Sequence, residues 1–175
     1  QNARAGLDYL KERAKNAGFG GAHVMTTSDV SKELAEKIGI DSTTVYSWND
    51  GTWDKIQSAE PNLNYRDWMA MATALWDKKN SLGLTYFPNV TVGWDTNPRY
   101  PAGKFAPMVT GSNPEDFEKA LRMAKSWLDK NTKPGLPKLL TVNSWNEWTE
   151  GTYLEPDEEN GYAYLNAIAR VFMGQ

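Results

Sequence analysis

Glu147 and Glu150 stand three residues apart in "TVNSWNEWTEGTYLEP", among Trp145, Trp148 and Tyr153, with Glu155 just beyond in "LEP". If "NEWTEG" turns like one helical turn, the first two side chains fall on the same side, roughly 5 to 6 Å apart at Cβ. Two carboxyls that close are equipped for acid/base work. Desolvation by the rings and mutual repulsion favour protonation of one, leaving a proton donor beside an ionised base. Glycosidic cleavage requires that arrangement, with carboxyls about 5 to 5.5 Å apart for retention and about 6.5 to 9.5 Å apart where a water must fit between them. Any one of these glutamates alone reads more plainly as a solvated loop acid, a helix cap or a salt-bridge partner. The joint spacing, the aromatics and Gly151 carry the pairing.

Other polar groups sit at similar places. Asn146 suits a sugar hydroxyl or a loop-pinning bond, and Trp145 and Trp148 suit packing or stacking against a sugar face. Trp94 is followed by Asp95 and Arg99 in "TVGWDTNPRY", where the charged pair either holds sugar hydroxyls or braces a long loop. Asn49 and Asp50 in "SWNDG" form a turn, for which Asp-Gly is suited, or line a site at a strand end. His23 in "GGAHVMTT" is a structural histidine or a group delivered by another strand.

The elements that must position these residues follow from periodicity. A helix is predicted from about Ala3 to Ala17, with Leu7, Leu10, Ala14 and Ala17 on one face and Gly18 as its stop. A short strand follows near Ala22 to Thr26, then a helix capped by Ser28 or Asp29 and ending at Gly39. "STTVYSW" is a strand near Thr43 to Ser47. The loop "NDGTWDKIQSAEPNLN" then leads to a helix striped by Trp68, Met69, Ala72, Leu75 and Trp76. Pro88 interrupts the strand "LTYFPNVTVG" and points to an edge or a strand end. After the Gly- and Pro-rich loop "WDTNPRYPAGKFAPMVTGSNP" comes a helix from about Pro114 to Lys130, with Asn113 as its cap. "KLLTVNSW" is the fourth strand and "NGYAYLNAIARVF" the closing helix.

A leading helix and four βα units fit a small open α/β sheet or half of an eight-unit barrel. The long loops after strand C-terminal ends favour the barrel, because barrel sites are assembled there. The expectation is therefore the C-terminal half of one (β/α)8 domain across residues 1–175. A half barrel exposes raw edges, so it requires a missing N-terminal half or a complementary chain.

Composition narrows the function classes. Nineteen basic and 22 acidic residues give a net charge of -3, with no basic cluster to neutralise a row of phosphates, so nucleic acid is an unexpected partner. Eight Trp and eight Tyr, many beside Asn, Asp, Gly or Pro, suit sugar faces and edges. The absence of cysteine removes disulfides and thiolate metal sites, and a single histidine is a poor start for zinc. "EPDEENG" is a poor calcium loop, with Pro156 where the first Asp belongs. No cofactor and no metal are expected, and no run of 18 apolar residues spans a membrane. A glycine-rich phosphate loop and a dinucleotide fingerprint are both absent. The compartment stays open: periplasmic or secreted for a polysaccharide hydrolase, cytoplasmic for a biosynthetic enzyme.

Together, "TVNSWNEWTEGTYLEP", "GYAYLNAI" and "TVGWDTNPR" resemble the glycoside hydrolase family 99-like, or WbsX-like, domain over essentially the whole chain. The resemblance implies the C-terminal half of a (β/α)8 barrel acting on a polysaccharide or oligosaccharide, with Glu147 and Glu150 catalytic. In family 99 the first glutamate is thought to act as base on the sugar's own 2-hydroxyl, giving a 1,2-anhydro sugar, and the second as acid. Carried over, these are Glu147 and Glu150. The "GWDTNPRY" loop is closer to the WbsX-like branch, which leaves the sugar open. A glycosyltransferase of cell-surface polysaccharide assembly and a non-catalytic carbohydrate-binding protein are the alternatives.

Overall fold

The computed structural model describes residues 3–174. The chain runs α1 (Ala3–Asn16), β1 (Met25–Thr26), α2 (Lys32–Ile38), β2 (Ser42–Thr43), α3 (Trp53–Gln57), β3 (Leu63–Asn64), α4 (Tyr65–Asn80), β4 (Thr85–Tyr86), β5 (Asn89–Thr91), β6 (Val109–Thr110), α5 (Pro114–Asn131), β7 (Thr141–Asn143), β8 (Asn146–Glu147), β9 (Thr152–Tyr153) and α6 (Ala163–Phe172). β1, β2 and β4 are paired in parallel, and β5 pairs in parallel with β7. Phe87 and Pro88 join the two sets, since the Phe87 N–H donates to Thr43 O and the Thr141 N–H to Pro88 O. The result is a mixed α/β array of four parallel strands, β4 and β5 counting as one strand broken at Pro88, alternating with helices.

Pro88 breaks its strand in two without moving it to an edge. The first half bonds β2 and the second bonds β7, so the missing N–H falls at the changeover. The strand expected over Thr43 to Ser47 shortens to Ser42–Thr43, because the chain bends at Tyr46 and Ser47 and turns from Trp48, where the Asp50 N–H donates to Ser47 O. No closed barrel forms among the described residues. Among the described residues, the outer sides of β1 and β7 have no strand beside them.

The helices end where their caps dictate. Ser31, not Ser28 or Asp29, caps α2 by accepting from the Leu34 N–H at 3.1 Å. Asp29 is taken by Lys79, at 2.8 Å to both carboxylate oxygens. Asn113 caps α5 as expected, accepting from the Asp116 N–H at 2.9 Å. α4, α5 and α6 pack around a core of Trp48, Trp68, Tyr65 and Phe117, with the Trp48 and Trp68 rings edge to face at 5.2 Å. No residue of α1 is buried, although it carries the predicted apolar stripe.

Two short strands hidden in the long loops help to build the site. β3 and β6 pair in parallel, β3 running directly into α4 and β6 reaching α5 after three residues, which ties the loop after β2 to the loop after β5. The Val109 N–H also donates to Trp94 O at 2.8 Å, fixing the backbone on which Trp94 sits.

Candidate functional site

Past β7, a cis Asn143–Ser144 peptide leads into a small antiparallel hairpin of β8 and β9. Between them Trp148–Glu150 make a single 3-10 turn, closed by Gly151 at φ 58°. Such a turn nearly eclipses residues three apart, which places the Glu147 and Glu150 side chains together. The Ser144 hydroxyl holds the hairpin base: it accepts from the Glu147 N–H at 3.1 Å and donates to Thr152 O at 2.8 Å. Two glycines let the neighbouring loop close on this turn. A Cβ on Gly93 would meet Gly151 O at 2.8 Å, and one on Gly151 would meet the Asp95 Cβ at 2.9 Å. That contact delivers the Asp95 N–H to Glu150 O at 2.7 Å.

Arg99 joins the two acids. One nitrogen, Nη2, lies 3.4 Å from Glu147 Oε1 and 3.0 Å from Glu150 Oε1. Sharing that atom limits the two oxygens to a separation of about 6.4 Å, the sum of the contacts. Arg99 Nε donates to Thr149 Oγ1 at 2.9 Å, and Thr149 Oγ1 donates to Glu147 Oε1 at 2.8 Å, so Glu147 is held from two sides. The sequence reading expected two negative charges facing each other; a guanidinium instead lies against both. Arg99 and Asp95 do not pair. Asp95 Oδ1 accepts from the Asn97 N–H at 2.8 Å and from Asn97 Nδ2 at 2.6 Å, bracing the turn that carries Arg99.

Glu150 is the more buried acid, at 8% exposed. It faces a cleft of about 330 Å³ bounded by Tyr46, Asn49, Asp50, Trp53 and Trp94. Tyr46 donates its hydroxyl to Glu150 Oε2 at 3.3 Å. Burial, and then the Glu150 charge, raise the Tyr46 phenol above its ordinary value, so the hydroxyl keeps its proton. Burial also raises the Asp50 carboxyl, against the pull of Lys79. Trp53 meets Trp94 edge to face at 6.1 Å and stays 45% exposed. A larger groove of about 750 Å³ lies between α4 and α5 and holds none of these residues.

The structure thus brings together Glu147, Glu150 and Arg99 at one place, and Asn49, Asp50 and Trp94 in the cleft beside them. Asn49 and Asp50 also make the expected turn, with Asn49 O accepting from the Thr52 and Trp53 N–H groups at 3.0 Å. Trp148 and Tyr153 stack on each other at 4.6 Å on the hairpin, and Trp145 beside them is exposed. The Asn146 side chain is exposed and makes no hydrogen bond among the described residues, so it does not pin the loop. His23 is set apart. It precedes β1, and Nε2 lies 2.6 Å from Ser42 Oγ at the N-terminal end of the strands, whereas the site residues follow strand C-terminal ends. Tyr46, Trp53 and Thr149 were missed by the sequence reading. Tyr46 would have been found had the strand been ended before it.

No group of three or more His, Cys, Asp or Glu among the described residues is arranged to hold a metal ion. No helix of the described residues is long and apolar enough to cross a membrane.

Against known proteins, the family described as glycosyltransferase WbsX matches residues 1–168. The protein WxcX from two strains of Xanthomonas campestris pv. campestris is 25% identical over 165 residues, covering 87% of this chain and 22% of the relative. A solved structure described as a glycoside hydrolase-like protein superposes with a TM-score of 0.60 at 13% identity, over 98% of this chain and 50% of that one. The chain therefore spans about a fifth of the length of these curated relatives and half of that structure, with which it shares a fold.

Proposed function

The chain belongs to the glycosyltransferase WbsX family, and from that premise we propose that it is part of a glycoside hydrolase that cleaves a polysaccharide or glycan with Glu147 and Glu150. The observation that supports this most is the sharing of one Arg99 nitrogen by two glutamates, the more buried of which opens on a cleft. One oxygen of each lies within about 6.4 Å of the other, a limit compatible with the roughly 5 to 5.5 Å of a retaining pair. The shared fold with a glycoside hydrolase-like protein points the same way.

In this reading Glu147 takes the proton from the sugar's 2-hydroxyl as that oxygen bonds to C1. Glu150 protonates the departing glycosidic oxygen as the bond from C1 breaks, and a 1,2-anhydro sugar is left. Glu150 then takes a proton from water as the water oxygen opens the ring at C1, and Glu147 returns its proton to O2. Both carboxyls end as they began. Tyr46, held as a donor, positions the Glu150 oxygen not bound by Arg99.

The four parallel strands, two of whose sides have no partner among the described residues, and the 50% coverage of the similar structure support placing this chain as the C-terminal half of a (β/α)8 barrel. The rest of the cleft then comes from the other half.

The test is a screen of the full-length protein against polysaccharides and α-linked aryl glycosides, beside Glu147→Gln and Glu150→Gln. On the polysaccharide each variant is expected to lose about 10²- to 10⁴-fold in rate, the range of a single acid/base group. A second reading, a glycosyltransferase of polysaccharide assembly, is favoured by the description of the family itself. Micromolar binding of a nucleotide sugar or lipid-linked sugar, with hydrolysis untouched by Glu150→Gln, would select it.

A further inference from the structure

Trp148 and Tyr153 form the one aromatic pair among the described residues that lies flat, with ring centroids 4.6 Å apart and planes 15° from parallel. Pairs within the core, such as Trp48 with Trp68 and Phe117 with Tyr164, meet edge to face. Both geometries are favourable for a ring pair, but the flat one leaves a level apolar surface on its outer side. Trp148 is 51% exposed, so much of its ring is free of Tyr153.

The hairpin register adds a polar group to that surface. Asn146 is the partner of Tyr153 across β8 and β9, and Glu147 is the partner of Thr152. Opposed residues share a face and successive ones alternate. Asn146, Tyr153 and the stacked Trp148 therefore lie on one side of the hairpin, and Glu147 lies on the other. The Asn146 amide is exposed and makes no hydrogen bond among the described residues. None of the three side chains carries a charge.

We propose that this face of the hairpin is an accessory glycan-binding surface, separate from the Glu150 cleft, where a neutral hexose unit lays its C–H face on Trp148 and bonds a hydroxyl to the Asn146 amide. Resting on the reading of the chain as acting on a glycan, the proposal adds where a polymer is held outside the cleft. Both groups are open to solvent, so a sugar reaches them without movement of the fold. A hydroxyl donates and accepts, and so pairs with either end of the amide. The apolar face of the sugar gains by leaving water for the ring. Position favours a glycan over a protein cover: Trp148 and Glu147 are chain neighbours with Cα atoms about 3.8 Å apart, so a polymer held there is kept beside the acids.

The experiment is N-bromosuccinimide oxidation of the full-length protein carrying Glu150→Gln, so that no probe is cleaved, with each tryptophan read by peptide mass spectrometry. The probes are α- and β-linked neutral hexose tetrasaccharides. Trp148 is expected to be oxidised in the free protein and shielded by at least one probe. The probe concentration that halves its oxidation reports the affinity of this face alone. Adding Asn146→Ala is expected to raise that concentration about 3- to 10-fold, the size of one neutral hydrogen bond. Tm should hold in that variant, because the exposed side chain gives up no bond.

The proposal is overturned if Trp148 resists oxidation in the free protein, which would mean that the rest of the protein covers it. It is equally overturned if no tetrasaccharide shields Trp148, or if Asn146→Ala leaves the shielding concentration unchanged. Hydrolysis lost on Glu150→Gln with Trp148 unshielded by every probe removes the surface and keeps the hydrolase. Shielding that Asn146→Ala weakens, with no polymer ever cleaved, does the reverse.

Discussion

At the scale of single residues, the two acids are separable by experiment because the proposed mechanism gives only one of them the leaving group. With the Glu150→Gln protein, an aryl glycoside bearing a strongly acidic phenol is expected to lose under tenfold in kcat/KM, while an alkyl or sugar leaving group loses about 10²- to 10⁴-fold. Glu147→Gln is expected to lose heavily on both, and kcat/KM, which reports bond cleavage and not the later water step, measures the difference. Arg99 holds Glu147 directly and through Thr149, so Arg99→Met should cost about 10²-fold in kcat/KM by misplacing the base. Wild-type rates in that variant would reduce the arginine to a surface ion pair. The sequence was most informative at this scale for residues adjacent in the chain: Glu147 and Glu150 share a turn three residues long. It was least informative for partners brought from afar. The Arg99 contact to Glu150 and the Tyr46 contact to the same acid depend on how separate loops meet, which no local pattern encodes.

At the scale of elements, the site depends on two loops closing on a turn. Gly151 takes φ 58°, a region that costs an L-residue about 1 to 2 kcal/mol, and a Cβ there would lie 2.9 Å from the Asp95 Cβ. Gly151→Ala is expected to lower the unfolding free energy in urea by about 2 kcal/mol or more and to reduce kcat by shifting Glu150. The helices carry a separate pH signature. Burial tends to raise the Asp116 carboxyl, but hydrogen bonds from Arg66 at 2.7 Å and Asn113 at 2.8 Å outweigh it and hold it below its ordinary value. A depressed folded pKa stabilises above the unfolded value of about 3.9 and is lost as pH falls through the folded one. Melting between pH 5 and 2 should thus show the wild type losing about 1 kcal/mol that Asp116→Asn lacks from the start. The start of α5 was legible because its cap, Asn113, is local, whereas α2 starts at Ser31 and not at Ser28 or Asp29, the latter being taken by distant Lys79. Strand bounds were not: β2 ends at Thr43 although "VYSW" continues its β-prone composition, since the bend at Tyr46 and Ser47 and the turn that follows outweigh propensity.

At the scale of the whole molecule, the alternation of strand and helix was readable from hydrophobic period, and the four parallel strands agree with it. Closure was not readable. It depends on the sides of β1 and β7, which have no strand beside them among the described residues, and on an α1 stripe with no residue buried. A second half of similar size is proposed to cover them and complete the cleft. Every functional proposal rests on one claim, that the paired glutamates break a glycosidic bond. The most direct measurement is reducing-sugar release from a polysaccharide panel by the full-length protein and by its Glu150→Gln variant, purified side by side and matched in Tm. Paired-glutamate hydrolysis predicts release by the wild type from at least one neutral polymer and a fall of about 10²-fold or more in the variant. Equal release by both proteins, or none by either alongside sugar transfer from a nucleotide donor, would contradict it.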